Sequence, residues 1–440
     1  MKRYVLIVAG LVCGAALLPV SASAGDLLEA YTLARQNDPQ LKAADANRLA
    51  RSEAYPQGRS ALLPTLGVSA NTTDNSQETI SAFAFNPSRE EDFNTHGYSL
   101  TLTQPVYHHD YWVALRQANS TVKQAETDYA SAEQDLIVRV AGRYFDVLSA
   151  QDSLDFANAE KESTARQLEQ AKQRFEVGLI AITDVHEAQA QYDLTVAQAI
   201  QAENALANAR EALQEILGQY MESVQRLQTE IPLITPEPAS PSEWADKAAE
   251  QNLSIRSAQF ALDIAREEIN RQRAGHYPTL DIVATHSDSS SNSSFGSDRE
   301  TGTIGLQLDV PLFQGGYVNS KTREAAYRHS ESKFTLEQTR RNVLRQTRDA
   351  YLGVIAGISR VKALNQAVIS SEKALEATQA GFEVGTRTIV DVLVSQSQLY
   401  AAKRDYARTR YDYILNTLNL KQAAGTLSEQ DLQQINSWIE

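Results

Sequence analysis

Phe175-Glu176-Val177-Gly178-Leu179-Ile180-Ala181-Ile182-Thr183-Asp184-Val185 reads almost a second time as Phe382-Glu383-Val384-Gly385-Thr386-Arg387-Thr388-Ile389-Val390-Asp391-Val392. The same offset pairs Gln189 with Gln396 and Gln191 with Gln398. The chain is therefore a tandem duplication with a repeat of roughly half its length, and each half builds the same supersecondary unit. That pattern indicates a scaffold made by repetition rather than a catalytic domain with one unique site.

Each motif ends a long helix-permitting tract. No proline lies between Pro105 and Pro232, or after Pro311. Proline inside a helix costs about 3 kcal/mol, so these Ala-, Gln- and Glu-rich tracts permit long helices. From near Asp110 to Glu176 a helix of about 67 residues would run about 100 Å. Its copy runs from near Val318 to Glu383, and Gly178 and Gly385 can take the left-handed backbone of a helix stop. A shorter helix returns in each half, near Asp184–Leu217 and Asp391–Ala424. Short helices near Asp26–Arg59 and Ser242–Ala274 complete a bundle of antiparallel hairpins. The stripe Val185, Ala188, Tyr192, Thr195, Ala199, Ala202, Leu206, Ala209, Leu213, Ile216 has the 3,4 spacing of a helix-packing seam.

Other segments change period. Tyr98, Leu100 and Leu102 alternate with Ser99, Thr101 and Thr103; Ile304, Leu306, Leu308 and Val310 alternate with Gly305, Gln307 and Asp309. Weaker copies appear at Leu66, Val68, Ala70 and at Leu280, Ile282, Ala284. Alternation over about 10 residues marks a strand with one lipid face and one watery face. Tyr107, Tyr111, Trp112, Phe313 and Tyr317 flank the strand exits as an interfacial aromatic belt does. A soluble two-hairpin sheet packed against those aromatics is the plainer alternative. Since bacterial barrels start at about eight strands, four strands per chain cannot close one, and the chain must oligomerise. Two copies would give eight strands, too tight for a pore, whereas three give twelve strands and twelve full-height helical columns. A homotrimer is therefore favoured: mainly α, with a twelve-stranded membrane β-barrel that the family resemblance below continues as an α-helical barrel.

Met1-Lys2-Arg3 and the apolar run Tyr4–Val20, closed by Ala22-Ser23-Ala24, read as a secretory signal, with a retained membrane helix as the alternative. The only cysteine, Cys13, lies within it, which leaves the mature chain without disulfide or thiol chemistry. The formal net charge of −14 disfavours nucleic acid and anionic membrane surfaces as partners. No run after the signal reads as a spanning helix. Together these give a signal peptide at 1–24, a first repeat at 25–230 with a hairpin at about 65–104, a Pro-rich connector at 231–242, and a second repeat at 243–440 with a hairpin at about 278–311.

With the two tip motifs, the paired strand entries Leu63-Pro64-Thr65-Leu66 and Tyr277-Pro278-Thr279-Leu280, and the exits Gln104-Pro105-Val106-Tyr107 and Val310-Pro311-Leu312-Phe313, the chain resembles the TolC family of outer-membrane efflux and secretion ducts over essentially its mature length. The resemblance implies a homotrimer in outer-membrane lipid whose helical end reaches into the periplasm. There it docks on a periplasmic adaptor and an inner-membrane transporter. The absence of a lipid-attachment cysteine resembles the secretion-type, non-lipoprotein branch.

Asp391 is the candidate pore constriction, since threefold symmetry turns one inward carboxylate into a ring that attracts cations. The competing reading is a helix cap, with Thr388 and Asp391 as a capping box and Asp184 with Glu187 as a second cap. Family members often carry a second acid one helical turn deeper; here that position is Val394. Thr183, Asp184, Arg387 and Phe382 match the polar links of the family's closed tip, but Phe382 lacks the hydroxyl to reach Asp184. The turns at Val177, Gly178, Val384 and Gly385 are the expected adaptor-docking points.

His108-His109-Asp110 lacks a further ligand at metal spacing and reads as a membrane-interface junction. Gly315-Gly316 reads as a strand-to-helix turn, and no nucleophile elbow, H-E-x-x-H or phosphate loop occurs. No cofactor, metal or catalytic residue is therefore expected. The predicted role is a passive exit duct for small molecules or polypeptides. The alternative is a periplasmic coiled-coil scaffold or adhesin stalk, which has no use for four alternating segments with aromatic borders.

Overall fold

The computed structural model describes residues 25–80, 89–221, 223–293 and 296–440. The signal segment, 1–24, lies outside them. The first half runs α1 (Leu27–Asn37), α2 (Pro39–Ser52), α3 (Ala54–Ser60), β1 (Thr65–Thr79), β2 (Arg89–Tyr107), α4 (His109–Glu176) and α5 (Ile182–Leu217). The second runs α6 (Pro241–Gln251), α7 (Leu253–Arg273), a 3-10 turn, β3 (Thr279–Ser291), β4 (Arg299–Asp309), α8 (Tyr317–Glu383), α9 (Ile389–Ala423) and then α10 (Glu429–Asn436).

Each predicted single helix at the head of a repeat is broken. In the first half Asp38 ends α1 and caps α2, its Oδ2 accepting from Leu41 N–H at 2.8 Å. In the second, Asn252 stands between α6 and α7, its Oδ1 accepting from Ser254 and Ile255 N–H at 2.9 and 3.2 Å. A short polar side chain that satisfies free N–H groups restarts a helix where a longer apolar one would have continued it. Among the described residues α10 has no counterpart in the first repeat.

The four strands form one antiparallel sheet in chain order. Its register decides which residues share a face. Leu66, Leu102, Ala284 and Ile304 are neighbours across all four strands, and Gly67, Thr101, Thr285 and Thr303 make the next row on the opposite face. One face is thus apolar and the other small and polar. The apolar run also slants. Val68 partners Leu100, but Ile282 at the centre of the β3 run partners Gln104, four residues along β2. Leu306 of β4 partners Ile282 in turn, so the apolar run slips about four residues over the three spacings from β1 to β4, a tilt of about 45° like that of strands in a closed barrel. Leu66, Val68, Ile304 and Leu306 are all exposed, so the soluble-sheet alternative leaves this face without cover.

α4 is 68 residues and α8 67, each about 100 Å long. α4 packs on α5 toward one end and on α2 and α3 toward the strands; α8 packs likewise on α9 and on α6 and α7. The predicted α5 seam is the buried one: Ala188, Thr195, Ala199, Leu206, Leu213 and Ile216 are all covered. The helices meet in a thick core at mid-height. There Tyr144 Oη donates to Gly25 O and Gln225 O at 3.1 and 3.0 Å. Phe145 stacks on Tyr411 with centroids 5.6 Å apart, and Tyr411 Oη donates to Asp152 at 2.6 Å. Leu432 and Ile435 of α10 close this core from the C-terminal side.

Contrary to expectation, one stretch of α8 reaches a mean hydropathy of 1.2 and has the length of a membrane span. Val354, Ile358 and Val361 of α8 lie in the mid-height core, yet only 11% of the apolar stretch is buried within one subunit.

Candidate functional site: the helical tip and the membrane collar

Both long helices end alike. Val177 and Val384 are the last caps, followed by Gly178 and Gly385 at φ 77° and 79°. Leu179 N–H bonds Arg174 O and Thr386 N–H bonds Gly381 O, the 6→1 closure that reverses a helix through a left-handed glycine. The turns leave Val177 70% and Val384 75% exposed, joined by Leu179 and Ile182. Apolar side chains held out on a rigid turn are unfavourable unless a partner covers them.

Beyond the turns the copies diverge. Thr388 caps α9: its Oγ1 accepts from Asp391 N–H at 3.3 Å, while Asp391 Oδ2 accepts from Thr388 N–H at 2.9 Å and from its hydroxyl at 3.0 Å. Those Thr388 donors, backbone first, hold the Asp391 carboxyl below the ordinary aspartate range, and the Arg387 charge adds to them. Of the two readings of Asp391, the cap is the one visible in a single subunit. Asp184 is different. Ala181 precedes α5 and offers no side-chain cap, and the Asp184 carboxylate makes no cap bond either, which corrects that reading.

Within one subunit the structure does not bring Arg387 to Thr183 or Asp184. Among the described residues no side chain of the same subunit bonds the Arg387 guanidinium, whose stem packs on Gly381. Phe382 instead sits beneath Arg174 of the other hairpin, 4.5 Å from the guanidinium carbon to the ring centroid. Val394 is half-exposed where the family's second acid would stand.

At the opposite end lies the aromatic collar. Phe313 is 89% exposed, and Tyr107, Trp112 and Tyr317 are exposed as well. Tyr111 is the exception: it stacks on His108 at 4.4 Å. His108 Nε2 in turn bonds the Asp281 carboxylate at 3.0 and 3.1 Å. This bond ties the start of α4 to β3 at the strand-to-helix junction, a tertiary contact that no local spacing could reveal. Among the described residues no cluster of three metal-ligating side chains occurs.

The sequence profile of the "outer membrane efflux protein" family matches residues 30–219 and 244–426. The chain is similar to the outer membrane protein TolC of Vibrio cholerae, 42% identical over 95% of this chain and 94% of the relative. It is also similar to the proteases secretion protein PrtF of Dickeya chrysanthemi, 32% identical over 96% and 92% of the two chains. In three dimensions it superposes on the transmembrane channel CusC with a TM-score of 0.79 at 18% identity, covering 91% of this chain and 92% of that one.

Proposed function

The chain belongs to the outer membrane efflux protein family, and from that premise we propose that three copies join edge to edge as a twelve-stranded barrel. It is an outer-membrane exit duct of tripartite efflux or type I secretion, with its helices extending into the periplasm. One observation supports assembly from several copies. The sheet has an exposed apolar face, and β1 and β4 are its outermost strands, each with one edge unpaired in the chain. In lipid every unpaired backbone group costs several kcal/mol, so these edges must pair with neighbouring copies.

The helical tips are the docking end. An adaptor grips the two turns near 174–188 and 381–395, covering Val177, Leu179 and Val384, while an inner-membrane transporter supplies the energy. The duct conducts passively and performs no chemistry. Three copies of Asp391 ring the tip as a cation-attracting constriction, weaker than a double ring because Val394 offers no second charge.

Two measurements test this reading. Protein from outer-membrane fractions should migrate as a heat-modifiable trimer and form pores in planar bilayers. A mature chain that stays monomeric and soluble without detergent refutes it. Copurification should recover a periplasmic adaptor, and a charged residue at Val177 and Val384 together should abolish that recovery.

A further inference from the structure

The seam between the two tip hairpins is the line where α4 meets α9, and its chemistry changes along its length. Nearest the tip it is apolar: Leu168 and Ala171 share a buried cluster with Ile389 and Leu393. At mid-height it is apolar again, around Phe145 and Tyr411. Between these lies a polar layer. Arg404 Nη1 donates to Glu160 Oε2 at 2.9 Å, and the Glu160 side chain is only 2% exposed. One turn lower, Gln396 Nε2 donates to Thr164 Oγ1 at 3.1 Å, and Thr164 Oγ1 donates to Glu160 O at 2.8 Å. Gln396 and Thr164 are each 1% exposed, and Gln396 Oε1 is buried without a donor.

The layer belongs to one repeat interface alone. At the repeat offset, Glu160 and Arg404 correspond to Ala367 and Ala197, which carry no charge. Gln396 corresponds to Gln189, whose amide bonds Asp193 on its own helix. Duplication supplied a plain helical seam, and only the α4–α9 copy acquired a buried ion pair.

A buried carboxylate without its partner is strongly disfavoured, whereas an apolar seam tolerates sliding. An ion pair in such a seam therefore fixes register more than it adds stability. The tip offers little to do this job: among the described residues no side chain of the subunit bonds the Arg387 guanidinium, Phe382 carries no hydroxyl and Val394 no charge. We propose that Glu160 and Arg404, with Gln396 and Thr164 beneath them, form a latch that positions α9 on α4 and holds the duct closed from above its tip. The undonated Gln396 oxygen leaves this register incompletely satisfied, so the latch is metastable: a displacement that admits water gives that oxygen a partner. This inference rests on the duct reading above and adds a determinant of closure to it.

Planar-bilayer conductance of the full trimer tests the latch. Glu160→Gln and Arg404→Gln should each raise single-channel conductance several-fold, and the exchanged pair Glu160→Arg with Arg404→Glu should return it toward the parent level. Gln396→Leu, which deletes the Nε2–H bond to Thr164 and so one rung of the latch, should raise single-channel conductance, by less than the charge variants do. It also supplies a readout should the charge variants not assemble. Unchanged conductance in the assembled variants overturns the latch, as does an exchanged pair that fails to recover while both single variants conduct more. Parent protein that forms no pores at all refutes the duct itself, a separate outcome.

Discussion

The Arg174 guanidinium covers the Phe382 ring at 4.5 Å, so the two tip hairpins of one subunit touch through a cation and an aromatic face. Such a contact at an exposed site is worth about 0.5–1 kcal/mol. Arg174→Ala should therefore loosen the closed tip modestly, seen as a small rise in single-channel conductance. Phe382→Tyr restores a donor at that position and should lower conductance below the parent value.

Arg387 stands on the loop beside the Thr388 cap, its charge felt by Asp391, and among the described residues no side chain of its own subunit bonds its guanidinium. The proposed partner is Thr183 or Asp184 of a neighbouring copy. Arg387→Ser should then raise conductance more than Arg174→Ala does; equal conductance to the parent would remove Arg387 from the gate.

Thr388 and Asp391 satisfy each other's backbone and side chain. Thr388→Ala should cost about 1 kcal/mol at the start of α9. Faster amide exchange over the first turn of α9, with none added in α5, is the expected signature. Because the folded Asp391 carboxyl lies below its ordinary range, its contribution is present above that range and lost as pH falls through the lowered value.

Arg139 donates to both Asp38 oxygens, at 3.2 and 2.7 Å. Burial pushes the Asp38 carboxyl up, but the Arg139 hydrogen bonds and the Leu41 N–H outweigh it and hold it down. The sign matches that of Asp391: stability is gained above the ordinary aspartate range and lost in acid. Asp38→Asn should lower the melting temperature at neutral pH and flatten its decline in acid.

Phe145 is buried against Tyr411 and Tyr144. Phe145→Ala should cost about 3–5 kcal/mol and melt the trimer at lower temperature. Pores that survive in the cold should keep parent conductance, because this core lies away from the gate.

Much of this architecture was legible because repetition writes itself twice. Two copies of the Val-Gly turn located both tips, and alternation at Tyr98–Thr103 and Ile304–Val310 located the sheet. Residues that act through tertiary partners were not legible. Glu160 and Arg404 lie 244 positions apart, and nothing local distinguishes Glu160 from the solvated Glu162 beside it. His108 reads locally as a membrane-interface junction, and its bond to Asp281, 173 positions away, is invisible at that range. Asp391 carried two readings because a cap and a ring ask for the same residue at the same turn, and only a neighbouring copy separates them. α10 escaped because it has no twin to announce it.

The two bare margins of the sheet have a cellular consequence. A solitary subunit cannot wait in the bilayer for companions, so insertion and completion are a single event. In the proposed trimer, one faulty polypeptide then spoils its two sound companions, and a minority of defective copies disables a disproportionate share of the cell's exits.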